Sequence, residues 1–225
     1  MRFDVLTLFP EIVTGYLGQS LLKLAIDRDL VHVHLHNLRD WARDKHQTVD
    51  DRPFGGGPGM VLKVAPVVES VEAVRQLDAN PGHLIVLTPQ GRRLDQEVVE
   101  ELAAYQRLIL VCGRYEGFDQ RVVELLEPDE LSIGDYVVNG GEVAAMVVID
   151  AVMRLVPGVL GDPRSFAEDS LADPRRMLKH AQYTRPRDYR GHKVPDVLIS
   201  GNHPEIAKWR ERERRERTRQ RRKDT

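Results

Sequence analysis

Three times in this chain an apolar run ends in a glycine-bearing loop, and a helical pattern follows. Leu84-Ile85-Val86-Leu87 runs into Thr88-Pro89-Gln90-Gly91. Leu108-Ile109-Leu110 runs into Val111-Cys112-Gly113-Arg114-Tyr115-Glu116-Gly117. The third block, Ser132-Ile133-Gly134-Asp135-Tyr136-Val137-Val138-Asn139-Gly140-Gly141-Glu142, packs a strand end, a loop and a helix start into one short segment. Repeated run–loop–helix units argue for an α/β fold, a parallel sheet with helices on both faces. In such sheets ligands bind at loops on the carboxyl ends of strands. Glycine inside an apolar element is unfavourable unless the backbone must turn sharply or press against something. Any one loop could be an ordinary strand-to-helix turn. Three in succession point to a pocket whose backbone N–H and C=O groups grip a small polar ligand.

The same patterning predicts strands over Arg2–Phe9, Leu30–Asn37, His83–Thr88, Leu108–Cys112 and Leu131–Ile133. It predicts helices over Glu11–Ile26, Ala65–Leu77, Gln96–Ala104, Gln120–Leu126 and Gly141–Val156. Residues 39–59 read as one long loop, a length that usually carries function or motion. The expected organisation is a domain over 1–160, a proline- and acid-rich linker over 161–176, and a small basic domain over 177–225. In the last of these, Asn202 or His203 caps a helix whose first turn holds Pro204.

Charge separates these parts. The formal net charge is −2, but residues 1–174 carry −12 and residues 175–225 carry +10. Between Lys208 and Lys223 there are 10 basic and 3 acidic residues. Such a segment is either a solvated end or a polyanion contact. The density of cations favours nucleic acid. No apolar run reaches a membrane span. The first residues alternate like a strand rather than a signal peptide, so the expected location is the cytoplasm, with no membrane partner. Cys112 is the only cysteine, which excludes an internal disulfide and reads as a small buried hydrophobe. His32, His34 and His36 share one strand face, but no fourth ligand type stands near, and no metal site is assigned. Phosphate-loop, dinucleotide and zinc-protease signatures are absent from the sequence.

In order and in content, the three glycine blocks resemble the bacterial tRNA (guanine-N1)-methyltransferase family of knotted, SPOUT-type methyltransferases. The block His46-Gln47-Thr48-Val49-Asp50-Asp51-Arg52-Pro53-Phe54-Gly55-Gly56-Gly57-Pro58-Gly59-Met60 adds to the match. So do Pro157-Gly158-Val159-Leu160-Gly161, Glu168-Asp169-Ser170 and Tyr183-Thr184-Arg185-Pro186. The resemblance runs from Met1 to about Arg219. It implies a trefoil knot in the α/β domain, which sequence rules would never suggest. It also implies S-adenosylmethionine as methyl donor, a divalent ion such as Mg for activity, a homodimer, and the anticodon stem-loop of tRNA as partner, not DNA. The reaction implied is methylation of N1 of the guanine 3′ to the anticodon.

The resemblance assigns Asp169 as general base and Arg154 as electrostatic stabiliser. Read from the residues alone, Asp169 is a linker acid or cap and Arg154 the polar face of a helix. For the cofactor it implies Thr88, Pro89, Gln90, Gly113, Tyr115, Glu116 and Gly117, then Ile133, Gly134, Asp135, Tyr136, Val137 and Val138 with Gly140 and Gly141. In three places the chain departs from the family pattern. Ala144 replaces a frequent proline, Ala181-Gln182-Tyr183 replaces Pro-His-Tyr or Pro-Gln-Tyr, and the last domain stops soon after Arg222, which would shift RNA binding onto the Arg-rich tail. Three other readings stay open: a knotted methyltransferase with another RNA target, a binding-only RNA protein, and a structural dimerisation protein.

Overall fold

The computed structural model describes residues 1–161 and 169–222. The linker expectation falls partly on residues 162–168, and the end of the tail on residues 223–225; both lie outside the described residues. The chain divides into two compact units, Met1–Gly161 and Asp162–Thr225.

The first unit is built on five parallel strands. They are β1 (Arg2–Thr7), β2 (His32–Asn37), β5 (His83–Arg93), β6 (Arg107–Cys112) and β7 (Asp129–Ser132), in the order β2-β1-β6-β5-β7. Two-residue strands β3 (Asp50–Asp51), inside the segment expected to be loop, and β4 (Val61–Leu62), just after it, pair antiparallel. Six helices flank the sheet: α1 (Pro10–Leu17), α2 (Ser20–Asp27), α3 (Val64–Arg75), α4 (Gln96–Ala103), α5 (Gln120–Leu126) and α6 (Gly141–Met153).

Strand alternation divides the core between two faces. Phe3, Val5, Ile85, Leu87, Leu108 and Leu110 pack with α2, α4 and α6, while Leu6, Leu84, Val86, Ile109 and Val111 pack with α3 and α5. Burial on both sides explains why β6 is apolar from Leu108 to Cys112 rather than alternating.

Several predicted elements differ by a few residues at their ends, and two differ in more than that. The helix expected over 11–26 is two helices, broken at Gly18-Gln19-Ser20, with Ser20 at φ +53°. Strand β5 continues past Thr88 to Arg93. Leu87 and Arg92 both register with Leu131, so residues 88–91 bulge out of the strand.

The amino end of the sheet holds a buried charge cluster. Asp4 accepts from Arg2, from Arg107 Nε at 2.8 Å, and lies 2.8 Å from His36 Nε2. Arg107, itself buried, also donates to the carbonyls of Val74 and Arg75 at the end of α3. Burial pushes the Asp4 carboxyl up, but the hydrogen bonds from His36, Arg2 and Arg107 outweigh it and hold the group far below its usual range. His36 is thereby part of a structural network. Among the described residues no group of three His, Cys, Asp or Glu is arranged to hold a metal ion.

The second unit contains a short hairpin, β8 (Asp188–Tyr189) with β9 (His192–Lys193), then α7 (Asp196–Ile199) and the long helix α8 (His203–Arg221). Asn202 caps α8, its side chain accepting from the Glu205 N–H at 3.3 Å, and Pro204 lies in the first turn. Residues 178–181 run along α8: Leu178 N–H donates to Thr218 Oγ1 and Ala181 N–H to Glu213. No described helix is long and apolar enough to cross a membrane.

Candidate functional site

The three glycine-bearing loops converge at the carboxyl ends of β5, β6 and β7 and enclose a cavity of about 370 Å³. The bulge of β5 contributes Thr88, Pro89 and Gln90. The loop after β6 contributes Gly113 through Phe118. The segment from β7 into α6 contributes Ile133, Tyr136 to Gly141, and Ala144. Leu87, Leu131 and Ala144 form a buried apolar floor, while Tyr115, Tyr136 and Val137 stand exposed at the rim. The size and the mixed lining suit a small-molecule site. Of the residues assigned to the cofactor, Gly134 and Asp135 alone do not line it. They belong to a tight turn in which Ser132 Oγ bonds Gly134 and the Tyr136 ring folds over it.

Two glycines are required by backbone crossings. A Cβ on Gly91 would overlap the Glu130 and Leu131 main chain, and one on Gly141 would lie 2.7 Å from Cys112 Cα. The Gly141 N–H donates to the Gly113 carbonyl at 2.8 Å, and Arg114 and Gly140 form an antiparallel bridge. The loop after β6 and the entry to α6 are thus stitched together under the cavity. On the outer side, Glu116 N–H donates to the Met60 carbonyl at 2.9 Å, so the rim is also tied to residues 60–62.

A charge network unforeseen in the sequence braces this floor. Glu142, 1 % exposed, accepts from Thr7 Oγ1 at 2.6 Å and from Arg114 Nε at 3.2 Å. Its Oε2 lies 2.9 Å from Arg114 Nη2, an ion pair whose angle does not make a hydrogen bond. The Arg114 guanidinium also stacks over Phe9, 4.6 Å from the ring centroid. Arg114 and the acid that follows Gly140-Gly141 stand 28 positions apart, and no local spacing pairs them. Cys112 beneath it is fully buried; desolvation and then the Glu142 charge push its thiol up, leaving it unreactive.

The two residues assigned to chemistry lie in different units. Arg154 follows the last turn of α6 as its C-cap, half-buried, in the first unit. Asp169 is half-buried in the second, with Lys179 Nζ 3.5 Å from its carboxylate. A larger open groove of about 770 Å³ follows one side of α8, past Lys208, Arg212, Arg215 and Arg219. It is lined by a single helix and has no floor, so it is a charged flank and not a small-molecule site.

Comparison with known proteins extends over the whole chain. The family described as tRNA (Guanine-1)-methyltransferase TrmD matches residues 1–225. A tRNA (guanine-N(1)-)-methyltransferase of Rhodopirellula baltica is 61% identical over 225 residues, covering all of this chain and 93% of the relative. One from Citrifermentans bemidjiense is 54% identical, over 97% of this chain and 86% of the relative. One from Chloroflexus aurantiacus is also 54% identical, over all of this chain and 87% of the relative. With the match unbroken from Met1 to Thr225, the chain belongs to the tRNA (guanine-1)-methyltransferase family.

Proposed function

We propose that this protein transfers a methyl group from S-adenosylmethionine to N1 of the guanine immediately 3′ of the anticodon in tRNA. The observation that carries the reading is the full-length match to proteins of that name, joined to a backbone-lined cavity at the carboxyl ends of three strands. The cavity fits the donor. Its walls are main chain at Gly113, Gly140 and Gly141, where a Cβ would meet neighbouring atoms, and its apolar floor suits an adenine ring. S-adenosylmethionine supplies a methyl group already activated by its sulfonium.

The chain must then align the acceptor and manage one proton. Guanine N1 carries a hydrogen at neutral pH, so its lone pair is unavailable. In this reading the Asp169 carboxylate takes that proton as N1 acquires the methyl group, and Arg154 stabilises the charge spreading to O6. A divalent ion such as Mg²⁺ would be held partly by substrate oxygens, since it usually binds through one or two carboxylates only.

Helices α1 and α6 lie side by side, joined by Tyr16 Oη to Asp150 at 2.6 Å, and both expose apolar side chains: Ile12, Val143 and Val147. This face supports a homodimer in which Asp169 of one chain serves the pocket of the other. The glycine-demanding crossings at Gly91 and Gly141 support a knotted backbone. The cationic side of α8 is the proposed tRNA contact, and the reaction belongs in the cytoplasm.

The test is mass spectrometry of unmodified tRNA incubated with the protein and S-adenosylmethionine. N1-methylguanosine at the predicted position is expected. Asp169→Asn should retain donor affinity and lose about 100-fold or more in single-turnover rate. A methyl group elsewhere in the RNA, or an Asp169→Asn rate equal to wild type, refutes the respective assignment.

A further inference from the structure

The hairpin tip between β3 and β4 carries an aromatic side chain with nothing against it. Phe54 is fully exposed, more so than any other large apolar residue among those described. It stands in Arg52-Pro53-Phe54-Gly55-Gly56-Gly57-Pro58-Gly59, where Gly55, Gly56, Gly57 and Gly59 have φ of +85°, +78°, +124° and +84°. Only glycine adopts such a run readily. Around Gly55, Gly56 and Gly57 an added Cβ would meet nothing within 4 Å. These glycines therefore serve the path of the chain and not its packing, and they leave the side of the Phe54 ring bare.

The base of the hairpin is tied to the rim of the cavity. Asp50–Asp51 pairs with Val61–Leu62 at its base. Leu62 N–H donates to the Gly117 carbonyl at 2.9 Å, and Asp119 N–H donates to the Leu62 carbonyl at 3.0 Å. Gly59 packs against the side chain of Glu116, which lines the cavity. The exposed ring thus stands on a hairpin whose base is bonded to the loop that forms the pocket wall.

A protein partner recognises contiguous apolar area of several hundred Å². The neighbours of Phe54 offer glycines, two prolines and the charges of Asp51 and Arg52 instead. One isolated ring face, with a cation two residues away on a hairpin whose base is bonded to the cavity rim, matches an unpaired nucleobase and its phosphate. Single-stranded RNA is read through stacking on such side chains. We infer that Phe54 is a stacking platform for an unpaired base of the RNA substrate adjoining the one that enters the cavity. The inference rests on the proposed function for the identity of the substrate as RNA.

Two full-length variants test it with unmodified tRNA transcript. Phe54→Ala should keep the wild-type melting temperature and S-adenosylmethionine isotherm and weaken tRNA binding about tenfold, the usual scale of one lost base–aromatic stack. Phe54→Trp should restore affinity, and the fluorescence of the added indole, taken as the difference from wild type, should be quenched as tRNA saturates. Phe54→Ala binding tRNA within about twofold of wild type, or an indole blind to tRNA, overturns the platform. Quenching without methyl transfer by the wild type leaves the platform and removes the proposed reaction. Methyl transfer with an unaffected Phe54→Ala does the reverse. A protein that binds no tRNA at all sinks both.

Discussion

Helix α6 buries eight of its thirteen residues, whereas α8, at nineteen residues, buries none. The first packs Ala144, Ala145, Val148, Ile149, Val152 and Met153 into the core beside the sheet. The second is held by a side-chain cap and by charge pairs: Glu211 with Arg215 at 2.9 Å, Asp173 with Arg214 at 2.6 Å. Close packing fixes α6 rigidly, because buried side chains interdigitate with few voids. That suits the helix whose first turn forms the cavity floor. Exposed pairs of the α8 kind contribute only a few tenths of a kcal/mol each. They orient a helix while leaving its excess cations available to a polyanion. One chain thus uses burial where distances must be held and charge where a partner must be attracted.

The sharpest way to break this contrast is to hollow α6. Ile149→Ala should lower unfolding stability by about 3 kcal/mol, from lost transfer energy and a residual cavity, read by denaturant titration. A cost under about 1 kcal/mol would mean that α6 is no better anchored than α8. The converse change on α8 is Arg212→Ala with Arg219→Ala. Stability should stay within about 0.5 kcal/mol, as for most surface changes. The slope of log K for tRNA against log salt should fall by about 1.5, from two lost phosphate contacts. An unchanged slope would strip the helix of its proposed contact.

Acid offers the smallest and most selective probe. Glu211 is lowered from its ordinary value chiefly by the hydrogen bond from Arg215, against the opposing effect of desolvation. Its contribution is therefore present above the unfolded carboxylate value of about 4.3 and is lost as pH falls through the lower folded value. A Glu211→Gln comparison should isolate a slight loss of helical circular dichroism in that window, with α6 unaffected. Equal loss in wild type and Glu211→Gln would assign the change to other carboxylates.

How much of this was legible in the sequence follows the same division. The sheet, α5 with its ends at Gln120 and Leu126, the Asn202 cap and the glycine-lined cavity all rest on local signals: apolar runs, capping side chains and glycine spacing. The break at Gly18-Gln19-Ser20 was hidden because the apolar spacing of Val13, Tyr16, Leu17, Leu21, Leu22 and Ala25 runs through it. The β5 bulge arises from pairing with Leu131, 44 positions from Leu87 and 39 from Arg92, and is invisible to any local window. Thr7, Arg114 and Glu142 are likewise joined across long separations. Each alone looks like an ordinary polar residue, and only the sheet makes them neighbours. The second unit, poor in buried residues, offered composition rather than pattern, so its charge was readable and its hairpin was not.

The crossings at Gly91 and Gly141 also bear on turnover. A floor in which one main chain lies directly on another cannot swing aside as a lid does, since moving it would strip the hydrogen bond from the Gly141 N–H to the Gly113 carbonyl and the register of β7. In the proposed reaction, exchange of spent for fresh ligand would pass the rim, where Tyr115, Tyr136 and Val137 stand in solvent. On that proposal the residence time of a molecule bound there would be governed by side-chain and loop motion at the mouth, while the base of the cavity is made from the sheet itself.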